Sequence, residues 1–163
     1  MNCKSCGGSL SVNRENYDYS SCGLPVTLCE VQVRHCEQCG DRGAAIPNIE
    51  GLHRAIAMCL IRKLARFTGA EVRFLRKFLG WSGADFAKHI GVSPEIVSKW
   101  ENDRERIGAA NDRLLRLLVA NREPVGHYPV EELERISDDA KPAHVRAVVK
   151  NKVHWSATTQ VAA

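Results

Sequence analysis

No run of apolar residues in this chain approaches the roughly 20 that a membrane-spanning helix needs. The longest, Ala55 to Ile61, ends at Arg62-Lys63. The start, Met1-Asn2-Cys3-Lys4, lacks the apolar stretch of a secretory signal. Also missing is any Ser/His/Asp constellation, paired-carboxylate arrangement or glycine-rich phosphate loop, which argues against an enzyme. The seven cysteines are odd in number, which suits a reducing compartment better than a closed set of disulfides. A cytoplasmic protein is the expectation. What is present is an ordinary chain of 163 residues, 44% apolar and 26% charged, long enough for one domain of normal size or two small ones.

Four cysteines stand as Cys3-x2-Cys6 and Cys36-x2-Cys39, each pair followed by a glycine, Gly7 and Gly40. Two such turns present two pairs of thiolates, and together they make the tetrahedral sulfur shell that Zn2+ prefers. The glycines let the chain bend back so that backbone N–H groups face the sulfurs. The expected cofactor is one structural Zn2+ per chain, with no position left open for water. Disulfide pairing and a redox CxxC are the alternatives.

The net charge of +4 is unevenly spread. Residues 1–50 carry 4 Lys/Arg against 6 Asp/Glu, residues 51–122 carry 14 against 7, and residues 123–163 carry 5 against 6. The whole surplus therefore sits in the middle segment, an electrostatic footprint for phosphate, although a solvated helical surface would show the same count.

Between the cysteine pairs, Ser9 to Tyr19 and Val26 to His35 read as strands around the turn Ser20 to Pro25. Alternation places Thr27, Cys29, Val31 and Val33 on one face and Glu30, Gln32 and Arg34 on the other. So small a hairpin requires a metal. From Ile49 the period becomes helical, through Leu52, Ile56, Leu60 and Leu64 to Phe67. Thr68-x-x-Glu71 is a capping box opening a helix that buries Val72, Leu75 and Phe78/Leu79 and stops at Gly80. Ser82 with Asp85 repeats the signal, Ser93-Pro94 starts another helix, and Leu114 to Val119 is strongly apolar. The expected layout is a ribbon over 1–46, a connecting helix over 47–67, a helical domain over 68–122 and an extension over 123–163. In that extension Val130 to Ile136 could form two helical turns, His144 to Trp155 alternates weakly, and Thr158 to Ala163 reads as loose.

Within the helical domain Ala87 is small where a second helix packs closely, Gly91 suits a left-handed turn, and Val97 is β-branched on the inner face of the next helix. These are the marks of a helix-turn-helix, with Pro94 to Asn102 as the helix that enters the major groove. Val97 and Trp100 go inside, leaving Ser93, Glu95, Ser98, Lys99 and Asn102 outside. Lys99 can donate to guanine, Glu95 can accept from cytosine N4, and the others can reach bases or phosphates. Lys88, Arg104 and Arg106 are placed for backbone contacts.

Thr68 to Val119, with Phe86-Ala87, Gly91-Val92-Ser93 and Val97-Ser98-Lys99-Trp100-Glu101, resembles an XRE/Cro-type domain. With the two cysteine turns ahead of it, residues 1–122 resemble the MqsA-type (YgiT-type) zinc-finger/helix-turn-helix antitoxins. The resemblance implies an α+β chain: a small N-terminal zinc-ribbon hairpin followed by an all-α XRE/Cro-type helix-turn-helix domain. It places the metal ligands on Cys3, Cys6, Cys36 and Cys39, and the family's base-reading Asn and Arg on Glu95 and Lys99, so the family's operator does not carry over. It further implies a homodimer on a palindromic operator in double-stranded DNA, and a toxin gripped by the zinc domain. The residues themselves add that the acidic ribbon would draw a basic partner to its strand edges and to some of Tyr17, Tyr19, Val31 and Val33, the alternative being a ribbon that is only a stabilising cap. A stand-alone regulator of the same build and a zinc-dependent protein adaptor are the competing readings. Cys22 and Cys29 read as ordinary strand or turn residues, Cys59 as core, and His35 as a neighbour of the metal site.

Overall fold

A computed structural model describes residues 2–122, 136, 140–141, 143–150 and 153–161. The two cysteine turns bracket a long hairpin, β1 (Leu10–Asp18) and β2 (Val26–Cys36), which pair antiparallel around a short 3-10 turn closed by Gly23 at φ +84°. β3 (Arg42–Ala44) returns along the far edge of β2 over Val33 to His35.

The alternation of β2 breaks at its middle. Val26 and Leu28 are buried, and so are Val31 and Val33, so the buried parity switches from even to odd. The cause is a β-bulge: Glu15 faces Val31 but Tyr17 faces Leu28, leaving one extra residue on β2. Glu30 takes it up at φ +53°, its backbone N–H donating to Asn16 Oδ1 at 3.3 Å. A one-residue insertion flips every later side chain to the other face. Cys29 therefore does not share a face with Val31 and Val33, as strict alternation would have it.

The largest departure from the expected layout is in the tail. β4 (Ala143–Lys150) lies parallel to β2, matching Val26 through Cys29 with Val145 through Val148, and β5 (His154–Val161) closes antiparallel on it. Among the described residues the sheet has five strands in the order β1-β2-β4-β5, with β3 also on β2. Thr158 to Val161 are strand residues and not loose. Val145 and Ala147 are buried beside Val26 and Leu28, so the apolar area the hairpin lacks is supplied by residues more than a hundred positions away. The helical turns expected from Val130 to Ile136 fall, except for Ile136, outside the described residues.

Among the described residues, five helices lie between β3 and β4: α1 (Ile49–Leu60), α2 (Gly69–Phe78), α3 (Gly83–Ile90), α4 (Pro94–Glu101) and α5 (Ala109–Arg122). α1 packs against β4 and β5. Trp155 Nε1 donates to the Pro47 carbonyl at 2.7 Å, and Asn48 Nδ2 to the Val153 carbonyl at 3.1 Å. The capping boxes at Thr68 and Ser82 form as their spacing predicts, and Gly80 and Gly91 sit at φ +76° and +77°. α1, however, ends at Leu60, well before Phe67.

The reason lies on α5. Arg116, fully buried, donates to the carbonyls of Ile61 (2.9 Å), Lys63 (2.7 Å) and Ala65 (2.9 Å). Carbonyls held this way do not continue a helix. The same guanidinium pairs with buried Asp112 at 2.7 Å and lies 4.3 Å from the Phe67 ring centroid. Asp112 also accepts the Phe67 N–H at 2.8 Å. Beside it, buried Lys63 pairs with Glu71 at 2.5 Å. Tyr19, Val31 and Val33 belong with α1 to α5 in one continuous apolar core, so sheet and helices do not have separate interiors. Among the described residues no helix is long and apolar enough to cross a membrane.

Candidate nucleic-acid interface and metal centre

The helix-turn-helix unit is built from its ends. Ser82 accepts from the Asp85 N–H at 3.1 Å and starts α3. At its other end the N–H groups of Gly91 and Val92 both return to the Ala87 carbonyl, at 2.9 and 3.0 Å, closing a tight left-handed cap. Pro94 presets the first turn of α4. Phe86, Ala87 and Ile90 of α3 and Val97 and Trp100 of α4 are buried together, which fixes the angle between the two helices.

The outward face of α4 follows from that packing. Ser93, Glu95, Ser98, Lys99 and Asn102 are all exposed, as are Lys88, Arg104 and Arg106. Their present partners differ. The Ser93 hydroxyl beside Glu95 holds its carboxyl below the usual carboxylate range. Lys99 Nζ lies 3.7 Å from Glu105, both exposed, a contact of little energetic weight. Asn102 is more committed: its amide donates to the Ser98 carbonyl at 2.7 Å and accepts from Arg73 at 3.2 Å. It caps the end of α4.

Sequence reasoning missed what clamps α4. Arg76 of α2 makes a two-pronged contact with Glu101 (2.5 and 3.0 Å), and Arg73 adds Nε to the same carboxylate at 3.2 Å and Nη2 to the Glu101 carbonyl at 2.9 Å. Burial alone would raise the Glu101 pKa, but the two guanidiniums outweigh it and hold the carboxyl below its ordinary range. Gly69 meets the same end of α4, where an added Cβ would lie 2.4 Å from the Trp100 carbonyl oxygen. Glu71, Glu101 and Asp112 are thus turned inward or against other helices. Each of these carboxylates is paired with a cation, Glu71 with Lys63, Glu101 with Arg76 and Arg73, and Asp112 with Arg116. The spacing Asp112-x3-Arg116 was the available signal for the buried pair, since i and i+4 share a helix face.

At the other end of the molecule, Cys3, Cys6, Cys36 and Cys39 bring their sulfurs within 4.8 Å of one another. Cys3 and Cys39 Sγ are 3.7 Å apart, Cys6 and Cys36 Sγ 3.4 Å. Tetrahedral coordination at a Zn–S distance of ~2.3 Å requires sulfur separations of ~3.8 Å, so the donor set fits such an ion. Gly7 and Gly40, at φ +78° and +72°, send their N–H groups back to the carbonyls of Cys3 and Cys36 at 2.9 Å each, which shapes the two turns alike. The four thiols cannot all ionise among themselves. The Cys39 backbone N–H leads in holding the Cys36 thiol down to about 7. Cys39 is pushed up to about 12, where the Asp41 backbone N–H is outweighed by the neighbouring sulfurs. Four cysteines so placed could hold a metal ion.

The remaining candidates lie elsewhere. His35 Nε2 is 3.2 Å from the Glu15 carboxylate. Cys29 is buried under Arg146, whose Nε and Nη2 point at its sulfur at 3.3 and 3.2 Å. Cys59 lies in the core, where burial pushes its thiol up to about 11.

Comparison with known proteins agrees with the helical half of this picture. Three proteins named as an uncharacterized HTH-type transcriptional regulator YiaG, from Escherichia coli K12, O6:H1 and O157:H7, are each 41% identical over 51 residues. That stretch is 31% of this chain and 53% of theirs, so the chain spans about half the length of the curated relatives it matches. No solved structure matches the chain. The helix-turn-helix family model matches residues 72–118, from within α2 to within α5. Residues 72–118 are a helix-turn-helix domain of the kind found in DNA-binding transcriptional regulators.

Proposed function

We propose that this protein is a zinc-stabilised, sequence-specific transcriptional repressor that binds a palindromic operator as a homodimer. One observation carries the DNA reading: α4 presents Ser93, Glu95, Ser98 and Lys99 to solvent while Val97, Trp100 and Glu101 lock its other side to α2 and α3. A rigid helix with short polar and charged groups at its N-terminal end is what a major groove admits. Lys99 and Glu95 are the base readers, and Lys88, Arg104 and Arg106 hold phosphates. One such unit reads few base pairs, which supports two copies on half-sites about 34–36 Å apart. Zinc is the ion that best suits four thiolates in a closed shell, and its role is to hold the β1–β2 end of the sheet.

The test is a titration of two variants on the preferred duplex and on a random one. Lys99→Ala loses about 1–3 kcal/mol on the preferred site and relaxes preference at one position. Arg104→Ala weakens both duplexes alike and reduces the salt slope by about one. Identical behaviour of the two variants on both duplexes refutes the assignment of α4.

The antitoxin reading is the narrower one. Its support is the acidic balance of residues 1–50, deepened by the −2 of a zinc tetrathiolate, which would attract a basic toxin. Against it stands the burial of Tyr19, Val31 and Val33, which takes away the apolar outer face that such a partner would cover. A regulator without a toxin is therefore favoured. Co-expression of the full chain with the neighbouring open reading frame decides: relief of growth arrest together with copurification restores the antitoxin reading.

A further inference from the structure

β3 and β4 both border the same edge of β2, but they part around the Glu30 bulge: β4 is paired as far as Cys29, and β3 begins at Val33. The gap is a cleft of about 760 Å3, with Ile46, Pro47 and Val149 among its apolar walls. That volume lies within the range of sites for small organic ligands, ~300–1,000 Å3.

Its polar groups converge. Arg14 faces Gln32 directly across the strands, and Arg34, two residues on from Gln32, shares that face. All three line the cleft. The other arginines of the sheet are engaged, Arg42 with Glu15 and Arg146 with the Cys29 sulfur. Among the described residues Arg14 and Arg34 have no ion-pair partner. Two unpaired guanidiniums against a single lining carboxylate, Glu30, make the cleft a receptor for negative charge, and guanidinium is the donor best shaped for a planar carboxylate. The apolar wall selects a ligand with a carbon body over a bare inorganic ion. Pro47 also accepts the Trp155 indole N–H, and the adjoining Asn48 caps α1, so an occupant would touch β2, β4 and the segment that starts α1.

We infer that this cleft binds a small carboxylate-bearing organic molecule with an apolar body, at a site separate from the α4 face. Binding is read apart from DNA, by 19F NMR on the full chain titrated with 4-fluorobenzoate and, separately, with neutral 4-fluorobenzyl alcohol. Fluorobenzoate should saturate with a dissociation constant on the order of a millimolar, as expected for a ligand of about ten non-hydrogen atoms. The Arg14→Gln/Arg34→Gln pair, at two exposed positions, should weaken the benzoate about tenfold and leave the alcohol within about twofold, the loss expected when charge-assisted hydrogen bonds go. Ile46→Trp, which fills the cleft without touching its charge, should abolish binding of both. Urea midpoints within error of the parent confirm that the variants fold. Absence of saturation up to tens of millimolar, equal affinity for acid and alcohol, or benzoate binding unchanged in the double arginine variant each overturns the inference.

Discussion

Replacing Arg116 by methionine tests the account of how the sheet and the helix-turn-helix domain are joined. Methionine keeps most of the side-chain volume, so the experiment removes charge and hydrogen bonds more than packing. Two consequences follow from the geometry. Asp112, fully buried, loses its 2.7 Å partner, and the carbonyls of Ile61, Lys63 and Ala65 lose their donor. Breaking a buried pair by removing one member costs about 3–5 kcal/mol because the other charge is left uncompensated. The carbonyls are chain neighbours that can shift toward water together, so their cost is not simply added. At a mid-range slope of about 2 kcal/mol per molar urea, the midpoint should fall by roughly 1.5–2.5 M, measured by far-UV circular dichroism. The companion variant Arg116→Met/Asp112→Asn separates charge from hydrogen bonding. It removes the stranded charge but keeps an acceptor for the Phe67 N–H, and should recover at least about 1 kcal/mol relative to Arg116→Met alone. A single-variant loss below about 1 kcal/mol, or a double variant no more stable than the single, would refute the reasoning.

Three further outcomes are expected. If the proposed zinc is held, metal analysis should find about one equivalent per chain in the parent and less than half an equivalent in Cys36→Ser. Because Val31, Val33 and α1 to α5 share one core, it should lower the unfolding of sheet and helices together, so two separate transitions would contradict it. Gly69→Ala should cost on the order of 1–3 kcal/mol and weaken DNA binding, since its methyl group would meet the Trp100 carbonyl at 2.4 Å and displace the end of α4; an unchanged urea midpoint argues against the contact. His53, whose Nε2 is 3.0 Å from the Tyr19 hydroxyl, has its pKa lowered by burial, so the unfolded chain takes up this proton before the folded one does. Its contribution is therefore fully present above the unfolded value of about 6.5 and is lost as pH falls through the lower folded pKa. Urea midpoints at pH 7.5 and 5.5 should differ more for the parent than for His53→Asn, and equal differences would exclude His53 as the group responsible.

What the sequence alone determined is local in range. Capping boxes at Thr68 and Ser82, left-handed turns at Gly80 and Gly91, the proline start of α4 and the inward Val97 and Trp100 all depend on residues within a few positions, where helix geometry leaves little choice. The two CxxC turns are equally short, each with its glycine at φ near +75°, and each sets its own pair of sulfurs; the β1–β2 pairing that puts Leu10 opposite Cys36 then brings the two pairs together. Tertiary structure decided the rest. The bulge at Glu30 reverses which β2 residues are buried, and no propensity marks that position, because a glutamate at φ +53° is tolerated only where both flanking strand segments are held. The pairing of β2 with β4 joins residues more than a hundred positions apart, and Arg116 reaches carbonyls 51 to 55 positions away. Such contacts arise from whichever buried surfaces and unsatisfied carbonyls the fold leaves over, which exist only once the chain has collapsed. For the same reason Arg14 and Arg34 read as ordinary surface charges in the sequence, and only the divergence of β3 from β4 sets them on a cleft.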